Sequence, residues 1–226
     1  MSRLIGLVLS SALAFAVCAA SAATNLLDLK VEYSADTVIG SGDNPRTGHL
    51  SRTPTALRHD IDDHGQTQTV IVRLDKNAAW MVLPALKMAL GTDLNGLTQL
   101  SGAAGVLGAA EKLKPVAVGS ETIEGMRATK YRVQMNDPEA GQFDGFVWST
   151  SQGVVLKIDG AGEQNGRRGT VHIVFRNVQI GRQDAALFEP PAGYKQVTVA
   201  PDMISTMMKT MEQMQRLRSG AQAPPQ

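Results

Sequence analysis

The sequence predicts an α+β protein built mainly on an antiparallel β-sheet, and three patterns indicate this class. Between residues 115 and 197, short β-branched or aromatic runs alternate with glycine-containing turns, as in a series of β-hairpins. Residues 94–113 repeat leucine and alanine at helical spacing, and residues 202–218 carry the apolar stripe of an amphipathic helix. The expected architecture is therefore a sheet flanked by two helices.

The first half of the sheet is predicted between residues 27 and 90. Residues 27–39 alternate apolar and polar side chains, which is typical of a strand with one buried face. The runs that follow are short and are separated by turn residues such as glycine, proline, asparagine and aspartate. Further strands are predicted at residues 47–52, 56–61, 67–74, 78–83 and 87–90.

The second half of the sheet is predicted as three consecutive hairpins. Each of them pairs two β-rich runs around a turn that contains glycine. They are expected to join residues 116–123 to 126–135, residues 142–150 to 154–159, and residues 170–180 to 187–197.

The two predicted helices differ in how strongly their residues favour a helix. Residues 94–113 contain four glycines, each of which costs about 1 kcal/mol relative to alanine, so this helix is expected to depend on packing of its leucine face. Residues 202–218 have no such interruption. Their apolar stripe consists of Met203, Met207, Met211, Met214 and Leu217.

The first 23 residues have the features of a signal peptide. Arg3 supplies a positive charge, residues 4–17 are almost wholly apolar, and the small residues that a signal peptidase requires come next. Cleavage is expected after Ala22 or Ala23, which would export the chain to the periplasm. The rest of the chain is expected to comprise one domain at residues 24–200, a methionine-rich helix at 201–218 and a disordered tail at 219–226.

The only cysteine, Cys18, lies within the predicted signal peptide. A bacterial lipid-attachment site is an alternative role for it, although Val17 is a poor match to the small residue that usually precedes such a cysteine. Otherwise Cys18 is removed with the signal peptide, and the mature chain has neither a disulfide nor a thiolate metal ligand.

The charge balance and the motif content exclude several classes of function. The 22 lysines and arginines nearly match the 21 aspartates and glutamates. Because phosphate recognition requires a basic surplus, nucleic acid is not expected as a partner. The sequence also contains no nucleophile elbow, Walker loop, dinucleotide fingerprint or zinc-ligand spacing, so a non-enzymatic role without a cofactor is expected.

The one cluster of histidine and aspartate in the sequence is predicted to be a turn rather than a metal site. Its neighbours His59 and Asp60 are expected to point to opposite faces of a strand, and turn chemistry accounts for acidic residues before a glycine. The cluster consists of His59, Asp60, Asp62, Asp63 and His64.

The methionine stripe supports a second hypothesis about metals. Thioethers are soft ligands, and Met207, Met211 and Met214 are spaced so that they could converge on Cu(I) in the envelope. Packing is the favoured interpretation, because methionine side chains fill irregular apolar surfaces.

Six short segments follow the long first strand, which ends in Gly40. They are VIVRLDK (70–76), AWMVLP (79–84), GSETIEG (119–125), TKY (129–131), GFVW (145–148) and LFEPPAGY (187–194). Together with the signal peptide, these segments resemble the LolA/LolB-like periplasmic superfamily, and within it a group of small exported proteins. The better-known members carry lipoproteins or sense envelope lipids.

This resemblance implies a curved sheet, or half-barrel, with helices over its concave face and an apolar cavity beneath them. The cavity residues that it implies are Tyr33, Val70, Val72, Trp80, Val82, Met88, Tyr131, Val133, Phe146, Trp148, Ile173 and Phe175. The implied lid residues are Leu97, Leu100, Leu107, Met203, Met207, Met211 and Met214. In the lipoprotein carrier an arginine before a proline helps to hold the lid, and Arg52, before Thr53-Pro54, is the nearest match.

The main functional hypothesis is a periplasmic carrier or sensor that binds an acyl chain or a similar amphiphile. A fatty acyl chain could gain on the order of 10 kcal/mol from burial, at about 0.8 kcal/mol per methylene. The expected partners are a lipid or a lipidated protein, together with other envelope proteins. The alternatives are a copper-binding envelope protein and a protein-interaction scaffold whose cavity is filled by its own helix.

Overall fold

The computed structural model describes residues 28–40, 45–63, 65–94, 96, 115–137, 141–164, 167–200, 203 and 210. Within these ranges twelve β-strands form a single sheet, and the other elements are three 3-10 turns and four separate helical residues, Leu94, Gly96, Met203 and Thr210. The strands are β1 (Tyr33–Ile39), β2 (Arg46–Arg52), β3 (Ala56–Asp63), β4 (Gln66–Arg73), β5 (Ala78–Leu83), β6 (Met88–Thr92), β7 (Val116–Ile123), β8 (Met126–Asp137), β9 (Gly141–Ser149), β10 (Val155–Gln164), β11 (Arg167–Ile180) and β12 (Lys195–Thr198). The turns are Leu74–Lys76, Pro84–Leu86 and Ala185–Phe188.

Two antiparallel meanders make up the sheet. Strands β1 to β6 pair in chain order and form the first meander, and strands β7 to β11 form the second. The meanders join where β1 pairs with β11. At one edge of the sheet β12 pairs with β6 in parallel, and the other edge is β7.

Short turns with left-handed backbone explain why neighbouring strands pair so directly. The β7–β8 hairpin has a two-residue loop in which Glu124 and Gly125 both have positive φ, of 48° and 77°, as a type I′ turn requires. The 3-10 turns after β4 and β5 end in Asn77 and Lys87, which also adopt the left-handed region. Such turns reverse the chain within a few residues and keep the meanders in sequence order.

The predicted α+β class is wrong for the described residues, most of which belong to the strands of one sheet. The two predicted helices fall at residues 94–113 and 202–218, of which the structure describes only Leu94, Gly96, Met203 and Thr210. These four residues are helical, and the rest of both predicted helices lies outside the described residues. The sheet is also larger than predicted, because β10 and β11 extend through most of the glycine-rich run between them.

The third predicted hairpin is also wrong. Strand β11 pairs with β10 and β1, whereas β12 crosses to the far edge of the sheet and pairs with β6. The connection is anchored by Phe188, which is buried against Ile71 and Val82. Pro190 and Pro191 then follow, and because proline has no N–H to donate they cannot continue a paired strand back along β11.

The strand register divides the side chains between two faces, because residues paired directly across antiparallel strands point to the same side. One face, called here the apolar face, carries two long rows of mostly apolar side chains. The first row is Tyr131, Val147, Ile158, Ile173 and Ile39. The second row is Leu90, Met81, Val70, His59, Leu50 and Ala35.

The opposite side, called here the charged face, carries most of the ion pairs. These pairs link neighbouring strands or alternate residues of one strand, at the surface. They include Asp36–His49, Arg58–Asp60, Lys130–Glu121, Arg132–Asp144 and Lys157–Asp159.

A buried hydrogen bond crosses β2 on the apolar face. The Nε2 atom of His59 lies 2.8 Å from the Oγ1 atom of Thr37, and the glycine of β2 between them, Gly48, leaves the space for this contact. A Cβ atom at that glycine would lie 2.8 Å from the same Oγ1 atom. Burial lowers the pKa of His59 from 6.5 to about 4, while the nearby Asp60 carboxylate opposes this change.

A second close approach involves Gly145 and Gly160, which pair across β9 and β10. A Cβ atom on either residue would lie 2.8 Å from Cζ of Phe143. The ring of Phe143, which is buried, therefore covers the paired glycines and packs against the sheet itself.

Replacing Gly145 by alanine should lower the free energy of unfolding by about 1–3 kcal/mol. The added Cβ would lie 2.4 Å from the carbonyl oxygen of Asp159 as well as against Phe143. Gly119→Ala is the matched control, because its Cβ would meet no atom within 4 Å. Urea denaturation measures both variants, and equal destabilisation by the two would contradict this account of the packing.

The neutral, buried state of His59 should make stability fall in acid. Its pKa in the folded protein is below the ordinary value, so the unfolded chain binds the proton more readily. The contribution is fully present above about pH 7 and is lost as the pH falls from about 6.5 towards 4. Between pH 7.5 and pH 5 the loss should be about 2 kcal/mol.

Denaturation of His59→Gln across this pH range should show a correspondingly flatter dependence. His49→Gln is the control, because His49 is exposed on the charged face beside Asp36. The explanation fails if both variants keep the pH dependence of the unsubstituted protein.

Candidate functional site

Eight of the twelve residues implied to line a cavity share the apolar face. Most of them are buried, whereas Val70, Met88 and Tyr131 are partly exposed. They come from both meanders, so the face is continuous across the junction of β1 with β11. The eight are Tyr33, Val70, Val72, Met88, Tyr131, Val133, Ile173 and Phe175.

The other four implied cavity residues point to the charged face, so the twelve do not line one cavity. Trp80 and Val82 lie under the segment that carries Phe188. Phe146 and Trp148 are cross-strand neighbours of charged residues on β8 and β10. Side chains in β5 and β9 alternate between the two faces as predicted, but the alternation begins on the other face. A shift of one residue exchanges the two faces, so the predicted residues of these strands point to the charged face.

Most of the implied lid residues lie outside the described residues. They are Leu97, Leu100, Leu107, Met207, Met211 and Met214. Met203 is described, and its side chain is 60% exposed. The copper hypothesis rests on the same methionines, and so it stays a hypothesis drawn from the sequence.

Arg52 is an exception to the apolar character of its face. It pairs directly with Tyr33 on one side and with Leu57 on the other, and Leu50 lies two residues before it in β2. All three neighbours are buried, and Arg52 itself is only 7% exposed. Burial lowers the pKa of Arg52, and its interaction with Tyr33 opposes that change.

Arg52 also differs from other arginines in its charge partners. Arg58 contacts Asp60 at 2.7 Å and Arg73 contacts Asp75 at 2.7 Å, both in partly exposed positions. Within the described part of the chain, no carboxylate lies within ion-pair distance of the Arg52 guanidinium. The apolar face therefore contains one buried cation whose charge no described side chain neutralises.

The hydroxyl of Tyr33 stays neutral beside this cation. Burial raises the pKa of Tyr33, while Arg52 and a hydrogen bond with the backbone of Val155 act in the opposite direction. The phenol therefore offers a hydroxyl, rather than a negative charge, next to the guanidinium. The sequence motif identified Arg52, but its burial depends on pairing with β1 and β3 and has no local sequence signal.

A groove of about 460 Å³ lies over β8, β9 and β10. Its aromatic residues are Phe146 and Trp148, whose ring centroids are 6.0 Å apart. Nζ of Lys130 lies 4.4 Å from the Phe146 centroid, and Nζ of Lys157 lies 4.6 Å from the Trp148 centroid. Sequence reasoning found the two aromatic residues but missed the lysines, because their proximity depends on register.

The charges in and beside this groove are already paired. Each of its basic side chains has an acidic neighbour, so the groove offers no surplus charge to a ligand. The pairs are Lys130–Glu121 at 3.8 Å, Lys157–Asp159 at 3.3 Å, and Arg132–Asp144.

Two neighbours in the histidine and aspartate cluster, His59 and Asp60, point to opposite faces of the sheet, whereas His64 lies outside the described residues. His59 points to the apolar face and contacts Thr37, whereas Asp60 lies on the charged face and accepts hydrogen bonds from Arg58. Across the described residues, no group of three or more His, Cys, Asp or Glu side chains is arranged to hold a metal ion. Nor does the described part of the chain contain a helix long and apolar enough to cross a membrane.

No protein-family model matches the chain, and no curated protein matches it in sequence. One solved structure shows its fold. An uncharacterised conserved protein from Thermus thermophilus superimposes with a TM-score of 0.51 at 10% identity, over 76% of this chain and 93% of that chain. This likeness shows a shared fold.

Two further structures are similar over most of the chain. The complex of MucA and MucB from Pseudomonas aeruginosa matches with a TM-score of 0.45 at 16% identity, over 78% of this chain and 61% of that chain. A putative outer membrane lipoprotein-sorting protein domain from Vibrio parahaemolyticus matches with a TM-score of 0.40 at 10% identity, over 72% of this chain and 92% of that chain.

Proposed function

We propose that the chain binds an acyl chain or a similar amphiphile on its apolar face, as a non-enzymatic carrier or sensor of the periplasm. The observation that carries the proposal is the continuous apolar face, which extends through ten neighbouring strands from β6 to β8. A long apolar chain could contact such a face along several strands.

Burial of methylene groups would supply the binding energy. At about 0.8 kcal/mol per methylene, a chain of ordinary lipid length gains on the order of 10 kcal/mol before the cost of ordering is subtracted. The apolar face needs no directional contacts with the chain itself. Affinity would therefore depend on chain length more than on the exact position of any one side chain.

The burial of this face also sets a condition on binding. Tyr33, Val133 and Ile173 are each at most 3% exposed, so a ligand could reach them only after a change in what covers them. Such a change requires that the ligand bind the open state more tightly than the closed one. The implied lid residues between Leu97 and Leu107 and along the methionine stripe belong to this proposal as the groups that would move.

The same burial favours a second candidate function, a protein-interaction scaffold whose apolar face serves only as a core. In that case the face would bind no small molecule, and partners would contact other surfaces.

The periplasmic location rests on the predicted signal peptide at residues 1–23. The partners that fit the proposal are a lipid or a lipidated protein of the envelope. Both present an acyl chain, and the apolar face would bind either through that chain.

A paired substitution of two half-buried valines should test the proposal. Val70 lies on the apolar face and Val38 on the charged face. Val70→Asn should weaken binding of laurate by about tenfold, because it places a polar amide against the chain, whereas Val38→Asn should leave binding unchanged. Displacement of the neutral fluorescent probe N-phenyl-1-naphthylamine from the purified, delipidated protein measures the affinity.

Circular dichroism of both variants controls for folding. The proposal is overturned if neither the probe nor laurate binds the unsubstituted protein, a result that would favour the scaffold. It is equally overturned if the two valine variants weaken binding to the same extent while both remain folded.

A further inference from the structure

The position of Arg52 on the apolar face requires an explanation beyond packing. Its guanidinium lies in a row with Val72, Leu57 and Tyr33, all of which are buried. An arginine side chain is charged at any physiological pH, and burying an unpaired charge is strongly unfavourable. A core that served only stability would hold an apolar side chain of similar volume at this position.

Neighbouring groups do not supply the missing negative charge. Tyr33 remains a neutral phenol because burial raises its pKa. Among the described residues the guanidinium has no carboxylate partner, and His59 on the same face is bonded to Thr37. Because burial lowers the pKa of His59 to about 4, His59 is neutral at neutral pH and neither adds to nor cancels the charge of Arg52.

The chemistry of the guanidinium indicates what would complete the site. Its planar fork of N–H donors matches the two oxygens of a carboxylate or phosphate, and such bidentate pairs are strongest where water is excluded. The hydroxyl of Tyr33 provides a second donor beside it. Leu50 and Leu57 adjoin the same point and offer apolar contact to whatever is attached to the oxyanion.

We propose that Arg52, assisted by the Tyr33 hydroxyl, binds the oxyanion headgroup of an amphiphile whose acyl chain lies on the apolar face. This inference rests on the proposed function and specifies its ligand as a carboxylate- or phosphate-headed amphiphile. The headgroup would neutralise the buried cation, and the chain would follow the apolar rows away from it.

A comparison of ligands that share one chain and differ in the headgroup tests this inference. Laurate, lauryl phosphate and lauryl alcohol are titrated into the purified protein by displacement of N-phenyl-1-naphthylamine. The oxyanion ligands should bind at least about tenfold more tightly than the alcohol, since a hydrogen-bonded charge pair contributes that much. Whichever of laurate and lauryl phosphate binds more tightly identifies the type of headgroup.

Three arginine variants locate the effect. Arg52→Met should abolish the preference for the oxyanions while leaving the affinity for lauryl alcohol within about twofold. Arg52→Lys, which keeps the charge but loses the fork, should retain part of the preference. Arg46→Met is the matched control, because Arg46 belongs to the same strand and the same face but is exposed, and it should leave the preference intact.

Inorganic phosphate alone distinguishes an anion site from an amphiphile site. It should compete with the probe only weakly, because it has no chain to occupy the apolar face. Equal affinity for laurate and lauryl alcohol would overturn the headgroup inference and leave the proposed function in place. A preference that survives in Arg52→Met would overturn it as well, whereas failure of every ligand to displace the probe would overturn the proposed function.

Thermal unfolding tests whether Arg52 serves only to stabilise the fold. Removal of a buried, unpaired charge should leave the unfolding midpoint of Arg52→Met unchanged or raised in the absence of ligand. If Arg52→Met unfolds, Arg52→Lys is used in its place. A folded Arg52→Lys with a reduced headgroup preference supports the bidentate contact, and an undiminished preference contradicts it.

Discussion

The pairing of β1 with both β2 and β11 is the constraint on which the rest of the sheet depends. Strand β1 is the only link between the two meanders in the order of the described sheet, so its alternation decides which side chains of both halves share a face. The register with β11 shifts between Ser34 and Asp36, where Asn177 and Val178 of β11 lie opposite the single residue Ala35. Asn177 has φ of 50°, a conformation that asparagine tolerates better than most residues, and its side chain donates to Asp36.

This arrangement gives the two faces different physical characters. On the charged face, ion pairs lie at the surface and each cation has a nearby acid, so their contribution to stability is small and salt-dependent. On the apolar face, side chains are removed from water and polar groups must find partners within the protein. His59 finds one in Thr37, whereas Arg52 has none among the described residues. The same buried setting therefore holds both a hydrogen-bonded histidine and an arginine that has no carboxylate partner among the described residues.

Local patterns in the sequence predicted the strands well, because alternation and turn residues are local properties. The strands of the first meander and the hairpin around Glu124-Gly125 occur where these patterns indicated. Pairing between distant strands could not be predicted in this way. The parallel pairing of β12 with β6 depends on Phe188 docking against Ile71, a contact between residues more than a hundred positions apart in the sequence.

The assignment of side chains to faces was limited for the same reason. Alternation states that Phe146 and Trp148 share a side, but only their pairing with Arg132 and Lys130 states which side it is. Aromatic residues also occur on both faces, because the turn Ala185–Phe188 creates a second apolar cluster under Trp80. Hydrophobicity alone therefore could not distinguish a cavity residue from one packed beneath a connection. Arg52 was identified by its place before Thr53-Pro54 in the sequence. Its burial, however, results from the pairing of β2 with β1 and β3, which the neighbouring residues in the sequence do not indicate.

The junction between the meanders also determines the order in which the chain can fold as it is synthesised. Strands β1 to β6 can pair as successive local hairpins, but β1 then exposes a free edge until β11 arrives, well over a hundred residues later. Long-range β pairing is slow, and an unpaired edge invites association with other chains. Completion of β11 and β12 thus closes both vacant positions in the first meander, beside β1 and beside β6. In a chain halted before residue 167 the first meander would have two unpaired edges, at β1 and at β6, and only the last strands to be synthesised cover them.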